Sequence, residues 1–163
     1  MPNLSSDRAG IFTGDHGGRW VWDGPELRDG AGESLALVRA DVIVTGGQQR
    51  LLVEYSPGPL HFRVRATTSE GHVYRVTQPG MTVSRLLGDC DGRKYRLTRT
   101  SFFRKERALE TAAGKITAYV RPLLTGDVEV RDGPDAEAMP FLDAVFLTWA
   151  CVLVDSPVRR TMI

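Results

Sequence analysis

The most chemically concentrated stretch of the chain is Arg99-Thr-Ser-Phe-Phe-Arg-Lys-Glu-Arg107, where four cations surround two adjacent phenylalanines. Those are the side chains that meet an anionic lipid surface. The cations approach head-group phosphates at about 1 kcal/mol each, and the rings enter the acyl boundary. From Arg85 to Arg107 the chain holds eight basic residues and three acids, a net of +5, whereas all 163 residues together carry +1. Arg99, Phe102, Phe103, Arg104, Lys105 and Arg107 are therefore the candidate anion- or lipid-binding residues. Two placements fit the same letters. Either the stretch is a hairpin tip whose phenylalanines dip into lipid, or the rings face the interior and the cations form a solvated strand face.

Other chemistry is sparse. His16, His61 and His72 have no spacing that sets two on one helical turn or beside a cysteine pair, so no zinc site is expected. Gly14-Asp-His-Gly-Gly18 reads as a glycine-rich turn, and no Gly-x-Gly-x-x-Gly lies between a strand and a helix to cradle phosphate. Cys90 sits between Asp89 and Asp91 in an expected turn, while Cys151 lies in an apolar run where a thiol packs as a small hydrophobe. No disulfide, redox pair or cofactor is expected, which fits a reducing, cytoplasmic compartment. Asp143 reads as a structural acid, stabilised at the start of a helix and accepting a hydrogen bond from the backbone or a neighbouring strand.

The elements that must position these residues are mostly strands. Residues 1–18 are polar and without period, a lead-in lacking the apolar core of a signal peptide. Residues 19–163 read as one domain, opening with Trp20 and Trp22 on one face of a short strand, then turn material at Asp23-Gly-Pro-Glu and Asp29-Gly-Ala-Gly. Ten further strands are expected at 34–39, 41–45, 50–55, 61–66, 72–77, 82–87, 93–98, 104–111, 115–121 and 127–131. Alternation is clean in several: Phe62, Val64 and Ala66 oppose His61, Arg63 and Arg65, and Ile116, Ala118 and Val120 oppose Thr117, Tyr119 and Arg121. Period two with one wet face predicts antiparallel sheet. Gly71-His-Val-Tyr-Arg-Val-Thr77 and Gly92-Arg-Lys-Tyr-Arg-Leu-Thr98 match in form, and Gly114-Lys-Ile-Thr-Ala-Tyr-Val120 continues the spacing. A repeated hairpin twisting in one sense curls and closes, which removes its edges.

Residues 140–154 break the pattern. Their only polar members, Asp143 and Thr148, lie about 140° apart on a helical wheel, so no continuous wet face exists. At about 22 Å the segment falls short of the roughly 20 residues that span a bilayer, and no transmembrane segment is expected. Asp135 is a candidate helix cap, and Asp155-Ser-Pro157 ends the run. A barrel of about eight strands fills with its own side chains, whereas about twelve leave room for a helix roughly 10 Å wide. The expectation is a closed antiparallel barrel of about twelve strands around a central hydrophobic C-terminal helix.

On the Gly71, Gly92 and Gly114 hairpins and the run Asp143-Ala-Val-Phe-Leu-Thr-Trp-Ala-Cys-Val-Leu-Val-Asp155, the chain resembles the tubby C-terminal-like superfamily. More narrowly it resembles the LURP-one-related and scramblase-like branch with its small bacterial members. The resemblance covers about residues 33–155 and implies a twelve-stranded barrel around a central helix. Tubby proteins bind phosphoinositides, but their lysine and arginine ligands match no positions here. Scramblase-type calcium and palmitoylation signals are not evident.

Three functions from different classes follow. The first is a non-enzymatic module for anionic lipid head groups or phosphate-bearing ligands at a membrane surface. The second is a protein-interaction scaffold. An enzyme with its site in the barrel mouth ranks last, since the helix fills the lumen where small barrels hold ligands. Nucleic acid is a weak candidate, because one basic segment in a near-neutral chain is a small footprint.

Overall fold

The structure is a computed structural model that describes residues 18–46, 49–56, 61–101 and 104–156. Twelve strands close into one barrel: β1 (Arg19–Asp23), β2 (Glu26–Arg28), β3 (Ser34–Arg39), β4 (Val42–Thr45), β5 (Arg50–Ser56) and β6 (Arg63–Thr68), followed by β7 (Val73–Thr77), β8 (Arg85–Cys90), β9 (Arg93–Arg99), β10 (Arg107–Thr111), β11 (Ile116–Pro122) and β12 (Val128–Asp132). Every neighbour in sequence is an antiparallel neighbour in space, and β1 pairs with β12 to shut the ring. Closure leaves no edge strand to be covered. A 3-10 turn, Ala136–Ala138, then leads into α1 (Phe141–Asp155).

The turns explain why the meander keeps curling. Four connections share one geometry: the N–H of the residue before a three-residue loop donates to the carbonyl of the residue after it, and the third loop residue is glycine. These are Asp29–Glu33, Thr68–His72, Thr111–Lys115 and Leu123–Asp127, with bridging N···O distances of 2.8 to 3.0 Å. Their glycines, Gly32, Gly71, Gly114 and Gly126, have φ between 83° and 94°, where a Cβ is strained. Thr68 and Thr111 each add an identical bond, the hydroxyl accepting from the N–H four residues on. The middle member of the expected repeat departs from this. Asp91 and Gly92 both have positive φ and form the two-residue turn that Asp-Gly favours.

The helix lies within the barrel. Thirteen of its fifteen residues are buried, and wall contacts come from several directions. Trp22 on β1 packs against Trp149 at 5.0 Å between centroids, the rings tilted by 45°, and donates its indole N–H to the Thr148 hydroxyl at 2.9 Å. That hydroxyl donates in turn to the Ala144 carbonyl at 2.7 Å, so the one mid-helix polar group is satisfied. Tyr74 on β7 meets Phe146 edge-on at 5.7 Å, and Trp20 meets Phe141 likewise. At Gly88 on β8 the wall comes so close that an added Cβ would lie 2.9 Å from Leu147.

Several expectations move. The twelfth strand is the three-residue Glu26–Arg28, which reads as turn because Gly-Pro precedes it and Asp-Gly follows. The segment expected at 82–87 pairs instead as Arg85–Cys90, so Cys90 ends a strand and is buried rather than lying in a turn. Asp135 caps nothing with its side chain; Pro140 holds the N-cap position of the helix, its carbonyl accepting from Ala144 N–H at 3.1 Å. Thr117, expected on the wet face, is fully buried. A bulge in the β10–β11 pairing between Leu109 and Glu110 shifts the alternation, and the Thr117 hydroxyl donates to the Leu109 carbonyl at 3.0 Å.

Candidate functional site

Antiparallel order places alternate connections at opposite rims. The connections β7–β8, β9–β10 and β11–β12 leave the rim at which α1 ends, here the upper rim. Each rim receives one buried carboxylate from the helix. Asp155, the last helical residue, stands at the negative end of the helix dipole, where a carboxylate is disfavoured. Two guanidiniums offset this. Arg107 donates from Nε to Oδ2 at 2.6 Å and from Nη2 to Oδ1 at 3.0 Å, and Arg99 donates to Oδ1 at 3.0 Å. Arg107 Nη1 also reaches the Leu97 carbonyl at 3.2 Å, and its side chain is wholly buried.

This divides the sequence candidates. Arg107 is no surface cation, since it points into the barrel and is committed to Asp155. Arg99, about a quarter exposed, is shared between Asp155 and the rim. Arg104 and Lys105 lie in the β9–β10 connection, not in a strand, and are exposed; Lys105 Nζ reaches the Asp155 carbonyl at 3.5 Å. Phe102 and Phe103 lie outside the described residues.

Beside the two exposed cations opens a hollow of about 500 Å³, lined by Arg104, Lys105, Arg121, Pro122, Leu123 and Leu124. Leu124 is fully exposed on the β11–β12 loop and Met81 is 80% exposed on the β7–β8 connection, the two most exposed large apolar side chains among the described residues. They flank the basic connection on either side. Sequence reasoning missed both. Their signal was an apolar pair, Leu123-Leu124, and a lone methionine after Pro79-Gly80, each placed where a loop needs no apolar residue. The lower rim is the more acidic: its connections carry Asp29, Glu33, Glu70, Asp91, Asp135 and Glu137 against Lys115, whereas the upper connections carry Asp41, Glu106 and Asp127 against Arg104 and Lys105.

At the lower rim Asp143 is fully buried in the first turn of α1. Arg93 grips it with Nε and Nη2 at 2.7 and 2.9 Å, and the Tyr95 hydroxyl donates at 2.6 Å. The expected barrel hydrogen bond to Asp143 is thus present twice over. Arg93 also donates to the Tyr74 hydroxyl at 3.3 Å. Burial first, then the Asp143 charge, pushes the Tyr74 phenol and the Cys90 thiol well above their ordinary range. Burial likewise leads the rise at Tyr95, where the hydrogen bond to Asp143 adds to it. Burial pushes the Cys151 thiol up to about 12, against the pull of Arg107. Neither cysteine is poised as a thiolate nucleophile.

His61 and His72 are exposed, His72 Nδ1 lying 3.8 Å from Asp91 and 4.0 Å from Glu70, while His16 lies outside the described residues. No group of three or more His, Cys, Asp or Glu side chains among the described residues is placed to hold a metal ion. Among the described residues no helix is long and apolar enough to cross a membrane. Comparison of the chain with protein families, with curated proteins and with solved structures returns no match.

Proposed function

We propose that the protein is a non-enzymatic, peripheral binding module whose upper rim docks on an anionic membrane surface. The observation that carries this reading is the coincidence on one rim of Leu124 and Met81 with Arg104 and Lys105, opposite a rim rich in carboxylates. Apolar tips give anchoring area, cations select for anionic head groups, and the acidic end turns away from them. The resemblance to the tubby C-terminal-like superfamily belongs to the same proposal. A closed barrel filled by its last helix is the architecture that superfamily implies, and anionic lipid binding occurs within it. A cytoplasmic location follows from this reading.

Co-sedimentation with phosphatidylglycerol vesicles tests it. Reversing Arg104 and Lys105 to Glu removes two attractions of about 1 kcal/mol and adds repulsion, so binding falls at least about thirtyfold. Leu124→Asp weakens binding at every salt concentration, whereas the double reversal acts mainly at low salt. Equal binding of the double reversal and the unaltered protein sinks the proposal.

One observation favours a second reading, a protein-interaction face. On the outer wall Leu37 pairs with Val44 and Val42 with Leu52, which is half exposed, giving a contiguous apolar strip over β3–β5. A partner whose capture is lost on Leu52→Asp and retained in the Arg104/Lys105 double reversal would favour that reading.

A further inference from the structure

The barrel wall contains three pairs of arginines that face each other directly across neighbouring strands, and it treats them differently; Arg99 of β9 and Arg107 of β10 share the Asp155 carboxylate. Like charges at directly opposite positions destabilise a sheet unless something intervenes. Arg19 of β1 faces Arg131 of β12, and the buried Glu129 sits among them. Its carboxylate accepts from Arg19 at 2.6 Å and from Arg121 at 3.1 Å, and lies 3.5 Å from Arg131. Arg65 of β6 faces Arg75 of β7 with no such carboxylate between them. Arg63 stands two residues along β6, opposite Thr77 and Ser56.

Two carboxylates border this pair and neither bridges the two guanidiniums. Glu54 is 3.9 Å from Arg65 and 65% exposed, a loose surface contact. Asp89 lies opposite Arg75 and feels its charge, but its hydrogen bonds go to Lys94 Nζ at 2.5 Å and the Gly92 N–H at 2.8 Å. Arg63 and Arg75 make no side-chain hydrogen bond or ion pair among the described residues. The three guanidiniums, with Ser56, Thr77 and Glu54, line an open hollow of about 490 Å³. That is the size of a cleft for a small organic ligand rather than a single ion.

We propose that this hollow binds a soluble phosphate-bearing small molecule, whose dianionic group takes the place that Glu129 fills at the Arg19–Arg131 pair and Asp155 at the Arg99–Arg107 pair. Three cations against Glu54 leave a local excess of two charges, equal to a phosphate monoester near neutral pH, and guanidiniums match phosphate oxygens bidentately. The site lies on the outer wall at the ends of β5, β6 and β7 that reach the upper rim, on the far side of the β7–β8 connection from Arg104 and Lys105. The inference is independent of the rim reading.

The test is a titration of the full chain with inorganic phosphate and with glucose 6-phosphate, followed by amide chemical shifts at constant ionic strength. Saturable shifts centred on Ser56, Arg63, Arg65, Arg75 and Thr77 are expected, tighter for the sugar phosphate. Arg65→Gln with Arg75→Gln weakens binding at least tenfold, while Arg85→Gln leaves it unchanged. The ligand-free melting temperature of the double variant holds or rises, because a repulsion has been relieved. Unsaturable shifts, shifts spread over all exposed arginines, or a lower melting temperature in the double variant each overturn the proposal. Vesicles of phosphatidic acid separate the sources. If the double variant loses vesicle binding while neither soluble phosphate binds the unaltered protein, the ligand is a lipid head group and the soluble assignment fails. The Arg104/Lys105 reversal in the same vesicles reports on the rim alone.

Discussion

The two ends of the helix carry the same device in unlike settings. At each end a buried aspartate is gripped by two nitrogens of one strand arginine. Asp143 has the helix dipole in its favour and its arginine, Arg93, remains 43% exposed on the side chain. Asp155 has the dipole against it, and Arg107 has no exposure at all. The lower clamp is a favourable local arrangement that solvent can help to replace. The upper clamp is a closed ion pair in which each partner depends on the other. The charge that remains around it, on Arg104 and Lys105, faces outward.

The contrast is broken most severely at the upper clamp. Asp155→Asn leaves Arg107 buried without a counter-charge, and denaturant unfolding should show a loss of about 3–5 kcal/mol. Asp143→Asn lets Arg93 turn to water and should cost about 1–3 kcal/mol, the penalty for a weakened buried hydrogen-bond set. A larger loss at Asp143 than at Asp155 reverses the comparison. Between the two ends, Gly88→Ala forces the wall off Leu147 and should cost about 1–3 kcal/mol, read as a lower urea midpoint at unchanged slope.

The smallest effect is acidic. Burial pushes the Glu129 carboxyl up, but Arg19, Arg131 and Arg121 together outweigh it and hold it below its ordinary value. Its contribution is therefore present above the unfolded value near 4.5 and lost as pH falls through the lower folded one. Glu129→Gln should remove that part of the acid limb and leave the limb at neutral pH unchanged in shape.

Much of the barrel was legible because the physics is local. Strand-forming segments set off by glycine, proline and aspartate, with period-two alternation in several, marked eleven strands, and the helix declared itself by lacking a wet side. Glu26–Arg28 was hidden because three residues between two turn signals carry no period. Thr117 was misassigned because a bulge resets alternation without leaving a letter in the strand it shifts. The site was legible only as composition. Arg99, Arg104, Lys105 and Arg107 are alike in sequence, and the position of Asp155 decides that Arg107 goes inside and Arg99 is drawn toward it while Arg104 and Lys105 stay out. Leu124 and Met81 join the basic connection only through strand order, which no local pattern encodes.

The orientation at a membrane tests the central claim most directly. A nitroxide is attached at Leu124→Cys on the upper rim or at Ala112→Cys, an exposed residue of the β10–β11 connection on the lower rim. Cys90 and Cys151 are buried and do not compete for the label. With phosphatidylglycerol vesicles, the label at 124 should become accessible to oxygen and shielded from a water-soluble nickel chelate, while the label at 112 stays aqueous. Equal behaviour at the two positions, or burial of 112 alone, would contradict docking through the upper rim.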